Sequence, residues 1–232
     1  MKGIANLLGG MLVTLGILTA GMDQAEAASI TGTLTADNHY GLFTGNEDGS
    51  LLNFIGRNEK GPSGSTGGYN WSQAETWNFT INPNDHLYVV AWDDNAVDES
   101  WIGQFDIGND GSLDLLSIAE DWEFVISQSP SPGDWGDVPS NPQLNTEIAS
   151  ATWAEAIRRG DNGMSPWGII AGVSADADFL QTADRSQGKY TIFRTKVPVI
   201  AAAQVPEPVS GLSLLAIGAA IGGFKVMKGR NS

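Results

Sequence analysis

Ser29-Ile30-Thr31-Gly32-Thr33-Leu34-Thr35-Ala36 alternates without a break: Ile30, Gly32, Leu34 and Ala36 fall on one side, Thr31, Thr33 and Thr35 on the other. A period of two with threonines outward is the pattern of a half-buried β-strand. The pattern recurs down the chain. Asp37-Asn38 is turn chemistry, and His39 to Thr44 reads as the next strand. Gly45-Asn46-Glu47-Asp48-Gly49 turns the chain ahead of a strand over Leu51–Arg57. Asn58–Asn70 is a Gly/Ser/Pro loop, and Thr76–Ile81 alternates again, placing Trp77, Phe79 and Ile81 together. After the turn at Pro83-Asn84-Asp85, His86–Trp92 is the continuous apolar run of a central strand. Trp101–Phe105, Trp122–Ile126, Trp167–Val173, Phe179–Gln181 and Tyr190–Arg194 supply further short strands.

One helix is expected, capped by Asn145 or Thr146 and running to about Arg159, with Ala149, Trp153, Ala156 and Ile157 on one face and Gly160 ending it. Gln128–Asn145, with four prolines, is expected to be a long surface loop. Short strands with turn chemistry between them predict one all-β antiparallel sandwich over residues 28–200, and no internal repeat is visible.

The 232 residues contain no cysteine, which excludes disulfides and thiolate metal sites, and the formal net charge is −15. Setting aside both ends leaves a body with 8 basic and 24 acidic residues, near −16. Such a surface repels nucleic acid and favours cations, solubility or a neutral ligand.

The two ends have their own grammar. Met1–Ala27 carries Lys2, an apolar run centred on Leu7–Leu18 and the small-x-small site Ala25-Glu26-Ala27. Those are the three regions of a secretory signal peptide, with cleavage by signal peptidase expected before Ala28. The competing reading, a retained membrane helix, is weakened by Gly9, Gly10 and Gly16 in a short core. At the other end, Val205-Pro206-Glu207-Pro208 precedes an uncharged run Val209–Phe224, then Lys225, Lys228 and Arg230. Snorkelling of Lys225 lengthens the apolar span to 209–227, and the basic residues place the tail on the cytoplasmic side.

This tripartite order over residues 205–232 resembles the PEP-CTERM sorting signal of exported bacterial proteins. The resemblance implies a transmembrane helix that holds the chain in the membrane before processing by an exosortase-type protease. It also implies release or attachment in an exopolysaccharide-associated envelope. The spread of Lys225, Lys228 and Arg230, in place of an arginine cluster, departs from the family pattern. Within the body, Thr35-Ala36-Asp37-Asn38-His39-Tyr40-Gly41-Leu42-Phe43 and Asn70-Trp71-Ser72-Gln73-Ala74-Glu75-Thr76 are similar to strands of galactose-binding-like jelly rolls, as are Gly172–Phe179 and Tyr190–Thr195. That likeness implies a jelly-roll body, and sugar binding by analogy.

Candidate chemistry is sparse. Asp93, Asp94, Asp98 and Glu99 lie between Trp92 and Trp101, an oxygen-rich loop that suits a structural Ca2+ or is a solvated strand connection. Asp106-Ile107-Gly108-Asn109-Asp110-Gly111-Ser112-Leu113-Asp114 partly imitates a calcium loop, but Gly108 and Ser117 stand where ligands are needed, and a hairpin turn is the favoured reading. Trp71 and Trp135, both in loops, are the candidates for stacking on a sugar, against the alternative that each plugs the sandwich. His39 and His86 sit in expected strands without an evident catalytic partner, and no HExxH, GxSxG or phosphate-loop motif occurs.

The sequence therefore predicts an exported, non-catalytic β-sandwich that binds or sits within extracellular polysaccharide. A purely structural surface protein is the alternative, and a glycan-acting enzyme with a carboxylate pair is third.

Overall fold

The alternation at Ser29–Ala36 becomes β1 (Ala28–Asp37), the strand around which one of two sheets is built. The computed structural model describes residues 26–58, 71–92, 100–112, 114–133, 136–181 and 188–200. In chain order the remaining elements are β2 (His39–Gly45), β3 (Leu52–Arg57), β4 (Glu75–Ile81), β5 (His86–Trp92), β6 (Ser100–Ile107) and β7 (Leu115–Leu116). They continue with β8 (Trp122–Pro130), α1 (Asn141–Ala149), β9 (Ala154–Glu155), β10 (Ile157–Asp161), β11 (Asp178–Gln181) and β12 (Lys189–Thr195).

Sheet A runs β10-β11-β6-β1-β4, with β7 on the edge of β6, and sheet B runs β3-β2-β5-β12-β8-β9. Among the described residues every pairing between these strands is antiparallel, for example Thr31 opposite Asn78 on β4 and opposite Asp106 on β6. The inward residues of β1, Ile30, Leu34 and Ala36, meet Tyr40, Leu42, Leu87, Val89, Trp101, Phe105, Trp122 and Phe193 in one core between the sheets. This is a β-sandwich, closed by the apolar half of each strand's period-two pattern. Each large aliphatic or phenyl side chain among them contributes about 1.5–3 kcal/mol on burial. Gly32, also inward, leaves the place that Phe105 fills: a Cβ there would lie 2.7 Å from Phe105 Cδ1.

Both outer faces are partly covered. On sheet B, α1 lays Leu144 and Ile148 over Tyr88, Val90, Trp92, Tyr190 and Ile192. On sheet A, Trp167, Ile170, Val173 and Ala177 pack against Ile102 and Phe179. Asn162 organises that segment, its amide donating to the carbonyls of Ile170, Val173 and Ser174 while its Oδ1 accepts from Ile170 N–H.

Three expectations are corrected. The helix starts at Asn141, not at Asn145 or Thr146, because Ser140 is extended and Pro142 is placed in the first turn, where a missing N–H costs nothing. Thr146 instead bonds the Pro142 carbonyl from inside the helix. The helix also ends at Ala149, not near Arg159. Trp153 packs on the outer face of sheet B, Ala156 enters the core between the sheets, and Ile157 is exposed, so residues that share a helical face on paper go to three environments. Their backbone pairs in β9 and β10 instead, and the chain crosses from sheet B to sheet A at Ala156. Second, Trp167–Val173 is not a strand but the irregular cover on sheet A, with one bridge between Gln73 and Ala171. Third, Gln128–Asn145 is not all loop, since β8 reaches Pro130 and α1 begins at Asn141.

The signal peptide expected over residues 1–27 lies, apart from Glu26 and Ala27, outside the described residues, as does the whole 205–232 segment with its 209–227 helix. Among the described residues no helix is long and apolar enough to cross a membrane.

Candidate functional site

Arg194, near the end of β12, alternates with Ile192 and Tyr190 and so points to the outer face of sheet B, where apolar cover gives out beyond α1. Its guanidinium donates from Nε to Glu123 Oε1 at 2.6 Å and from Nη1 to the Glu47 carbonyl at 2.6 Å. The group also lies over the Trp153 ring, 4.1 Å from its centroid. Tyr88, next in the same face on β5, donates its hydroxyl to the Asn46 carbonyl at 2.7 Å, and burial pushes that phenol up to about 12. The β2–β3 turn is thus pinned by two side chains rising from the sheet. Asn46 completes it, taking Leu51 N–H on Oδ1 and donating to Ser50 Oγ.

Around these residues opens a cleft of about 860 Å³, in the size range of small-ligand sites. Asn46, Glu47 and Asp48 form one wall, Ile148, Ala149 and Trp153 the other, and His86, Arg194 and Lys196 the floor, with Asn84 and Pro198 at the end. Gly49 lets the two walls approach: its φ is +70°, and a Cβ there would meet Ile148 Cδ1 at 2.8 Å. His86 is buried, and burial holds its pKa below the ordinary imidazole value although its Nδ1 lies 2.7 Å from the Thr195 carbonyl. Asp48 accepts Ser50 N–H, and its hydrogen bonds with Ser50 hold its carboxyl below the usual range. Lys196 is paired with Glu155 at 3.0 Å.

The arrangement presents a half-buried indole, fixed amides and carboxylate acceptors. A general acid for glycoside cleavage needs a raised carboxyl pKa, and Asp48 is moved the other way.

Of the residues singled out from sequence, Trp71 is half-buried and packs against the apolar cover on sheet A. It precedes β4, whereas Asn84 of the cleft follows it, so the two sites sit at opposite ends of that strand. Trp135, Asp93, Asp94, Asp98 and Glu99 lie outside the described residues, as do Val205, Pro206, Glu207, Pro208, Lys225, Lys228 and Arg230. His39 stacks on Trp92 in the outer-face layer, at the other end of β2 from the cleft.

The loop after β6 brings carboxylate oxygens of Asp106, Asp110 and Asp114 within 4.8 Å of one another. Those carboxylates are engaged by the loop itself: Asp106 takes Asp110 and Gly111 N–H, Asp110 takes Ser112 N–H, and Asp114 takes Ile107 N–H and the Ser112 hydroxyl. This is a self-bonded connection between β6 and β7, the turn favoured from sequence.

Residues of the Thr35–Phe43 and Asn70–Thr76 stretches hold the fold together. Tyr40 donates to Glu75 Oε2 at 3.0 Å and receives Trp77 Nε1 at 2.7 Å, while Asp37 receives Trp167 Nε1 at 2.7 Å. The cleft is not visible in the sequence: Trp153 reads as part of a helical face, Arg194 as the end of a strand and Glu47 and Asp48 as turn residues, and nothing in their order brings them together. Comparison with family models, curated proteins and solved structures finds no match.

Proposed function

We propose that this chain is an exported, non-catalytic β-sandwich protein that binds extracellular polysaccharide in the Trp153–Arg194 cleft. The observation that carries the reading is the cleft itself, where Trp153 is braced on one face by Arg194 and flanked by amide and carboxylate groups. Aromatic rings bind the apolar faces of sugars, and fixed polar groups orient the hydroxyls. The signal-peptide pattern at 1–27 and the Val205-Pro206-Glu207-Pro208 segment support export and sorting by an exosortase-type protease, with the 209–227 helix as the stop. Successive strands that alternate between the sheets, as β3, β4, β5 and β6 do, support a jelly-roll connectivity.

A glycan array probed with the full-chain protein tests the function. Retention on defined neutral glycans is the expected result. Absence of binding across the array removes the carbohydrate reading and leaves the structural surface protein. Turnover of a bound glycan would return the carboxylate-dependent enzyme.

A further inference from the structure

We infer that the cleft selects uncharged sugars over carboxylated or sulfated ones, and that Glu47 and Asp48 set this preference. The inference rests on the glycan reading of the same site.

Two cations line the cleft, and both are already engaged by the protein. Arg194 is held by Glu123 and the Glu47 carbonyl and lies over the Trp153 ring. Lys196 is paired with Glu155. His86, the remaining basic group, is buried with its Nδ1 at the Thr195 carbonyl, and burial favours its uncharged form. What is left over is negative. Glu47 and Asp48 are exposed on the β2–β3 turn, and among the described residues neither carboxylate has an ion-pair partner.

An incoming uronate or sulfate therefore meets two unpaired like charges and only cations that are already engaged, inside a chain whose formal charge is −15. A neutral sugar meets the same oxygens as acceptors for its hydroxyls, and hydrogen bonds to ionised acceptors are the stronger kind. One pair of carboxylates thus both attracts the neutral ligand and excludes the acidic one.

Calorimetric titration of the full-chain protein with neutral gluco- and galacto-oligosaccharides and with oligogalacturonate of equal length tests this. The neutral series should bind, and the uronate should bind roughly tenfold more weakly or worse at low salt, with the gap narrowing as salt rises. In the E47Q/D48N variant the gap should close from both sides, with uronate binding gained and neutral binding weakened as its ionised acceptors are lost. The Glu47 contact to Arg194 uses the backbone carbonyl, and an asparagine at 48 retains an acceptor for Ser50 N–H, so the turn is preserved; E47Q alone provides a milder variant. Uronate binding as tight as neutral binding in the unaltered protein would overturn the selectivity. So would an unchanged gap in both variants with unchanged melting midpoints. Binding of neither probe overturns the glycan site itself, and the selectivity with it.

Discussion

Arg194 and His86 show how single side chains tie the cleft to the stability of the sheet. Arg194 joins β12 to Glu123 on β8, to the β2–β3 turn and to Trp153, so no one partner accounts for its place. His86 is the residue whose titration reports on the same floor. Its folded pKa is depressed, so below about 6.5 the unfolded chain binds a proton that the folded one resists. Its contribution is therefore present above that pH and is lost progressively as pH falls. Thermal midpoints measured from pH 7.5 to 5 should decline, and the H86Q variant should flatten the decline, since a glutamine amide can still donate to the Thr195 carbonyl without titrating. Equal slopes in the two proteins would assign the acid sensitivity elsewhere.

At the scale of elements, the cleft exists because the β2–β3 turn and the end of α1 are held at one separation. Gly49 and Ile148 set it. Alanine at 49 meets both a left-handed backbone and the Ile148 side chain, and should cost on the order of 2–4 kcal/mol and weaken ligand binding. G108A is the control: its φ is also positive, at +97°, but nothing lies within 4 Å of the added carbon. It should cost only about 1–2 kcal/mol and leave binding intact. Denaturant melts and binding isotherms of the two variants separate backbone strain from displacement of the wall, and equal effects would deny Gly49 its role at the cleft. The same region shows what the sequence did and did not disclose. β1 was legible because Ile30, Leu34 and Ala36 are buried while Thr31 and Thr33 keep partial exposure, so alternation survives in the residue order; Thr35, read as outward, is buried. The helix was misplaced because Trp153, Ala156 and Ile157 have helical spacing by coincidence of three different packing demands. Pro142 was the signal for the true start, and it was outweighed by the prolines around it, which read as loop.

For the whole molecule, both faces of the sandwich are built by the same alternation, but the functional end is not written in any one stretch. The cleft draws on the β2–β3 turn, the β4–β5 turn, the end of α1, and β12 with the residues after it. No local motif spans these, and strand pairing across more than a hundred residues, as between Tyr88 on β5 and Arg194 on β12, cannot be read from residue order alone. The tryptophan that sequence offered, Trp71, and the one that the fold offers, Trp153, lie at different sites, and that difference is the sharpest test. With a neutral oligosaccharide that binds the full-chain protein, calorimetry should show W153A weakened by roughly tenfold or more and W71A unchanged. Full affinity in a folded W153A variant, or loss of binding in W71A alone, would contradict the assignment of the cleft as the ligand site.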